Sequence, residues 1–397
     1  MSVASAVAVR PSGRDAVTWY AYLLLGYYAF IVSLQGNILP FLREELGLTY
    51  RDVSLHTSAI AAGVMVVGFF GERAIRVLGR RRTLVAATVG SAAAMVALTL
   101  APVVAVSLGA CFLFGLIGAL IPVIVQAVIA DFEGQRRDVA IAESNAMACL
   151  FGTAAPIVTG MAVWLGSGWR MAVLAGVAAG LVTLASFRRL PIPEGGSART
   201  AGDGGRLPFA YWCYWAVLGL GVAVEFAAIL WAPAYLEQVV GLEPSAAAMA
   251  ATAVFAGMLV GRVGGAALFR LFPIRRLFFA AAATVFVGFA AYRGSAEPIV
   301  AVGGLFVLGL GVALLFPLAL SFAMTAAGPA AQRGSARILI ASGLAIMLGP
   351  PLLGAIADYA GLASAMIMIP VFMALGVGAF LLGEAVRRHG ARVAVAG

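Results

Sequence analysis

The 397-residue sequence predicts an all-α polytopic membrane protein, with twelve transmembrane helices arranged as two pseudo-symmetric six-helix bundles. Three observations carry the prediction. First, 63% of the residues are hydrophobic and only 11% charged, at a mean hydropathy of +1.03, which is far more apolar side chain than a water-soluble core of this size needs. Second, twelve apolar runs approach the length of about 20 residues with which a helix crosses about 30 Å of hydrocarbon. Third, the chain matches itself at a constant offset of 194 residues.

In chain order, the first run covers 17–41, and the 16 residues before it lack the pattern of a cleaved signal peptide. The second, 54–71, ends at "GFFGERAIRVLGRRRTL", a loop holding five arginines between two apolar runs. The third and fourth, 83–101 and 104–130, are separated only by the Ala101-Pro102 break. The fifth, 139–163, follows Arg136 and Arg137, and the sixth is 170–187. A Pro-, Gly- and charge-rich stretch then divides the chain, giving a first bundle over 1–187, a linker over 188–208 and a second bundle over 209–397. The seventh run, 209–233, opens with Trp212, Tyr214 and Trp215, read as an interfacial aromatic belt. The remaining five are 246–269, 277–293, 298–325, 337–357 and 362–385.

Arginine placement orients the chain. With the termini cytoplasmic, inner segments carry 21 arginines and outer loops four, namely Arg43, Arg51, Arg170 and Arg293, while Arg262 lies within a span. That asymmetry predicts a multi-pass cytoplasmic (inner) membrane protein with both termini inside. It also accounts for the +9 net charge without a nucleic-acid partner.

The repeat pairs "FLREELGL" (41–48) with "YLEQVVGL" (235–242), and "GACFLFGLIGAL" (109–120) with "GGLFVLGLGVAL" (303–314). It also pairs Gly63 with Gly257, Gly71 with Gly265, Arg76 with Arg270, Arg81 with Arg275, Arg82 with Arg276, Pro156 with Pro350 and Gly160 with Gly354. A single offset that keeps glycines, prolines and loop arginines together implies two homologous halves of like topology.

With these features the whole chain resembles the major facilitator superfamily, whose loop after the second helix runs roughly G-x-x-x-D-R-x-G-R-R. The matching residues here are Gly68 or Gly71, Arg73 or Arg76, Gly79, Arg80, Arg81 and Arg82. The acid position falls at Ile75, and Glu72 stands about one helical turn earlier. The resemblance implies alternating access between two bundles, with this loop as a cytoplasmic gate. Independently of the family, a short arginine-dense connection can act as a latch as well as a topological anchor, because its charges can meet helix ends or acids of the opposite half in one conformation only. In the second half "GRVGGAALFRLFPIRRL" (261–277) is the weaker copy.

Ionisable groups inside a span cost roughly 2.5–3.5 kcal/mol each on insertion scales, so each needs a reason. Glu225, in "GLGVAVEFAAILWAP", is the first candidate for proton coupling and Glu143, in "RRDVAIAESNAMA", the second. A carboxyl held away from bulk water can take up and release a proton, as a proton-coupled carrier requires. Glu143 could instead reach back to Arg136 or Arg137, and Glu225 could be interhelical glue. "VEFAAILWAPAYL" also resembles the seventh helix of fucose-type and related proton-coupled members, where a glutamate precedes a tryptophan. Arg262 is assigned to the cytoplasmic latch, paired with an acid or helix end, in preference to holding an anionic substrate. Gln35, Asn37, Gln126, Asn145 and Trp231 are the candidate solute-binding residues, amides offering both donors and acceptors, and Asp131 is a further polar candidate.

These readings predict a secondary transporter taking up a small organic solute with protons, a monomer in the lipid bilayer, with neither cofactor nor metal. Proton-antiport efflux of a drug or metabolite is the alternative within the class. The first span lacks the acid, and the fourth the arginine four residues before Gly115, that usually mark such exporters; Cys111 stands there instead. A non-transporting receptor or scaffold of the same fold is the alternative of another class, and Glu225 is a costly group that a scaffold does not require. An enzyme is not expected: two histidines, His56 and His389, make no metal cluster, no lysine exists for a Schiff base, and no GxxxxGK[ST] cradle exists for ATP. Cys111, Cys149 and Cys213 fall in apolar runs and predict no disulfide framework.

Overall fold

The computed structural model describes residues 15–133, 137–190, 192 and 207–396, and among them are twelve helices long and apolar enough to cross a membrane and no strand. They are α1 (Ala16–Leu46), α2 (Tyr50–Leu78), α3 (Arg80–Thr99), α4 (Val104–Glu133), α5 (Arg137–Trp164) and α6 (Trp169–Ser186) in the first half. The second half holds α7 (Phe209–Gln238), α8 (Pro244–Leu271), α9 (Ile274–Gly294), α10 (Pro298–Ala327), α11 (Ala331–Ala360) and α12 (Leu362–Arg388). Most of the linker, Arg136 and the first 14 residues lie outside the described residues.

The helices keep the expected order and outrun several expected ends. The apolar run of α1 stops near residue 41, yet the helix continues through "FLREEL" until Gly47, at φ 62°, provides the left-handed turn on which the N–H groups of Gly47 and Leu48 close the last carbonyls. Hydropathy marks where a helix leaves hydrocarbon; the cap marks where it stops. The N-terminus of α2 carries a capping box, Thr49 with Asp52. Within α4, Phe114–Gly118 forms a π-helical turn.

An even number of crossings puts both chain ends on one side of the bundle, called here the near end; the opposite side is the far end. The repeat is visible in the packing. A Cβ added to Gly63 of α2 would run into the Phe112 carbonyl of α4, and one added to Gly257 of α8, 194 positions later, into the Phe306 carbonyl of α10. Conversely, Gly115 sits on the Ile60 carbonyl and Gly309 on that of Val254. The two halves thus cross their second and fourth helices at the same residue pairs, each crossing being a backbone approach that only glycine permits.

The halves meet along three seams. At the far end of α5–α8 a Cβ on Gly160 would lie 2.7 Å from the Ser245 carbonyl, and in α11–α2 a Cβ on Gly354 would lie 2.7 Å from that of Tyr50. Gly36 of α1 faces α7, its added Cβ 2.6 Å from the Ile229 carbonyl. Deeper along α2–α11, the Ser58 hydroxyl donates to the Met347 carbonyl at 2.7 Å, and Gly343 abuts Met65. The described contacts therefore close the molecule from the far end to mid-depth.

The aromatic-belt expectation for α7 needs correction. Tyr214 is fully buried, stacks on Phe322 at 5.4 Å and donates its hydroxyl to Glu384 of α12 at 2.7 Å. Trp215 donates its indole N–H to the Arg337 carbonyl, leaving Trp212 as the exposed ring. Helical periodicity turns residue 214 into the bundle and away from residue 212, a distinction that composition alone cannot make.

Candidate functional site

Mid-depth between the halves, Glu225 of α7 and Arg262 of α8 form an ion pair, Nη2 to Oε1 at 3.7 Å, with side chains 18% and 43% exposed. The other guanidinium nitrogen, Nη1, donates to Sγ of Cys149 on α5 at 2.9 Å. One arginine thus touches an acid of its own half and a thiol of the opposite half. Each charge offsets the other's desolvation, which allows two ionised groups at a depth where either alone would be costly. The separation exceeds a hydrogen bond, so the pair is electrostatic and free to exchange partners.

This geometry changes the setting of both residues. Glu225 is not an isolated carboxyl, and Arg262 finds an acid as expected, but at mid-depth and away from the arginine loop. Sequence separation of 37 residues concealed the pairing; helix-to-helix neighbourhood between α7 and α8 produces it.

Glu143 of α5 accepts a hydrogen bond at 2.7 Å from the hydroxyl of Tyr22, a buried residue of α1. One turn towards the near end on α1, Thr18 donates to Glu133 at 2.5 Å. Neither partner was evident in the sequence, where Tyr22 and Thr18 lie in an apolar run without a local signal. The side chains of Arg136 and Arg137, the alternative partners for Glu143, lie outside the described residues.

The expected solute-binding residues separate into two groups. Gln35, Asn37 and Trp231 are buried at the α1–α7 seam around Gly36, and each leaves one polar atom without a partner: Gln35 Nε2, Asn37 Oδ1 and Trp231 Nε1. Asn37 spends its amide on the Ser33 carbonyl of its own helix at 3.0 Å. Beside Trp231 is a cavity of about 10 Å³ bounded by Leu39, Pro40, Arg43, Tyr50 and Gln238, room for about one water. Gln126 and Asn145 are exposed, and Asn145 donates to the Ile141 carbonyl on its own helix at 3.0 Å.

The arginine loop ties back to its own half in this conformation. Arg80 pairs with Asp131 at the end of α4 at 2.6 Å, and Arg81 donates to the Arg188 carbonyl after α6. Asp131, a polar candidate in the sequence, thus holds the loop to α4 of its own half. Arg73, Arg76 and Arg82 are exposed, Gly71 is buried against Val67 and Leu120, and Gly79 adopts φ 79° where α2 turns into α3. The Glu72 side chain lies outside the described residues. Among the described residues no three His, Cys, Asp or Glu side chains could hold a metal ion, and His56 is committed to Ser107 and to backbone carbonyls of α2.

Residues 21–341 match the sequence profile described as Major Facilitator Superfamily. Among solved structures, the fold is similar to a bacterial homologue of the human lysosomal transporter Spinster, inward-facing and unoccupied, at a TM-score of 0.71 and 15% identity, covering 94% of this chain and 98% of that one. It is also similar to the nucleoside transporter NupG, at 0.77 and 11% identity over 93% and 99%, and to a D-xylose-proton symporter, at 0.73 and 16% over 92% and 96%. No curated protein sequence matches the chain.

Proposed function

The chain belongs to the major facilitator superfamily, and on that footing we propose that it is a secondary active transporter that carries a small organic solute by alternating access, coupled to protons through Glu225. The observation that carries this reading is the Glu225–Arg262 pair at mid-depth, with Arg262 also touching Cys149 across the halves. Ionised Glu225 holds Arg262; a proton on Glu225 cancels the attraction and leaves the guanidinium free for another acceptor. Protonation can thus alter contacts between the halves, which is the differential interaction that coupling requires. Glu143, hydrogen-bonded to Tyr22, is the second candidate for proton exchange.

The solute path runs between the halves, with Gln126 and Asn145 on its open side and the unpartnered Gln35 Nε2 and Asn37 Oδ1 at the far-end seam, ready to bind solute or water when that seam opens. The arginine loop anchors the near end on the cytoplasmic side. The sealed far end then corresponds to a state open toward the cytoplasm, in keeping with the inward-facing neighbour. Uptake with protons is the favoured direction, since a proton-coupled symporter is among the structural neighbours.

Reconstitution tests the proposal. A solute found by thermal-shift screening is offered to vesicles carrying an internal pH dye. Acidification with uptake identifies symport, and alkalinisation identifies antiport. Glu225→Gln is expected to abolish accumulation driven by a pH gradient while solute exchange persists. Undiminished uphill accumulation by that variant rejects the role of Glu225.

A further inference from the structure

We propose that Asp358, at the far end of α11, is a gating residue that locks the far-end-closed state by capping the N-terminus of α2 from the opposite half. The Tyr50 backbone N–H donates to Oδ1 of Asp358 at 2.7 Å and the Arg51 N–H to Oδ2 at 2.9 Å. Both are first-turn groups without an intrahelical partner, at the end of α2 where the helix dipole is positive. Asp52 closes the rest of that turn locally, its N–H bonded to Thr49 Oγ1 at 3.1 Å. Capping of α2 is therefore divided, one share supplied within the helix and the other only while the halves touch. Tyr50 adds further cross-half contacts: its hydroxyl donates to Gln238, its ring meets Trp231 edge-on at 5.6 Å, and Gly354 packs on its carbonyl.

The internal repeat shows that this device exists on one seam alone. At the related seam, Gly160 of α5 rests on the first turn of α8 as Gly354 of α11 rests on that of α2. The position matching Asp358 is Trp164, 75% exposed, and the position matching Tyr50 is Pro244, which has no N–H to donate. The glycine contact is duplicated; the acid and its donor are not. Among the described residues the far end of the α5–α8 seam can consequently part without breaking a charge-assisted hydrogen bond, whereas opening the α2–α11 seam must transfer two of them from Asp358 to water.

The inference rests on the alternating-access reading but not on the role of Glu225, and a distance measurement keeps the two apart. In a background with Cys111→Ala, Cys149→Ser and Cys213→Ala, spin labels at Ser167→Cys and Glu297→Cys report the far-end separation of the full-length protein in nanodiscs. Asp358→Asn is expected to raise the far-end-open fraction about two- to fivefold, the range set by loss of an exposed charge at a helix terminus. Asp52→Asn, which removes a first-turn charge supplied from within α2, is expected to leave the distance distribution unchanged. A parent-like distribution for Asp358→Asn, or equal opening by Asp52→Asn, overturns the proposal. Should Asp358→Asn fail to fold, Asp358→Ser is read by the same criterion.

Discussion

Replacing Gly36 by alanine should open the far end without weakening the individual helices. The added Cβ would lie 2.6 Å from the Ile229 carbonyl oxygen and 3.1 Å from Leu230 Cα. Ordinary contact begins near 3.4 Å, so α1 and α7 must part locally by about 0.8 Å, and backbone atoms cannot swing aside as a side-chain tip could. Overpacking of this kind costs about 1–3 kcal/mol, borne only by the state in which the two helices touch. At 1.4 kcal/mol per factor of ten, the closed-to-open ratio falls about 5- to 150-fold. Alanine is also the better helix former, by about 1 kcal/mol in water, so α1 itself gains. The assay is hydrogen–deuterium exchange at the start of α2, where the Tyr50 and Arg51 amides are held by Asp358 only while the far end is shut. Their exchange should accelerate by the same factor. Gly264→Ala is the control, because a Cβ there meets nothing within 4 Å. Exchange at residues 50 and 51 that is unchanged by Gly36→Ala, or equally accelerated by Gly264→Ala, would refute the reasoning.

Arg262→Gln should lower stability in detergent by about 1–3 kcal/mol, below the ~3–5 kcal/mol of a fully buried broken pair because Arg262 is 43% exposed. Combining it with Glu225→Gln should recover most of the loss, and a strictly additive pair of thermal shifts would count against the ion pair. At the far end of the first half, Arg170 grips Glu45 with two nitrogens, at 2.8 and 2.6 Å, and Trp169 donates to the same carboxylate at 2.9 Å. Both charged side chains are more than a third exposed, so Glu45→Gln should cost no more than about 1 kcal/mol, a deficit that shrinks as salt is raised in unfolding measurements.

Much of the fold was legible because the bilayer imposes a length and a hydropathy that few sequences meet by accident. The break at Ala101-Pro102 and the glycine pairs at offset 194 all reappear in the packing. Individual chemistry was less legible. Glu225 and Arg262 each stood out as costly groups in apolar runs, yet the sequence offered no reason to pair them. Arg80 was singled out within the loop, and Asp131 was noted separately on α4, without either suggesting the other. Tyr22, the partner of Glu143, and Asp358, the cap of α2, carried no local signal: a tyrosine in an apolar helix and an acid near a helix end are both common.

Composition, arginine placement and the repeat determined by themselves that this chain crosses a membrane twelve times in two like halves, because hydrophobic length and positional periodicity are properties of the linear chain. Only the tertiary structure decided which seams are shut, which acid meets Arg262 and which half caps α2. Those outcomes depend on side chains brought together from 37 to more than 300 residues apart, and on backbone approaches so close that an added Cβ at Gly36, Gly160 or Gly354 would lie 2.6–2.7 Å from a carbonyl oxygen, distances to which no pattern along the chain is sensitive.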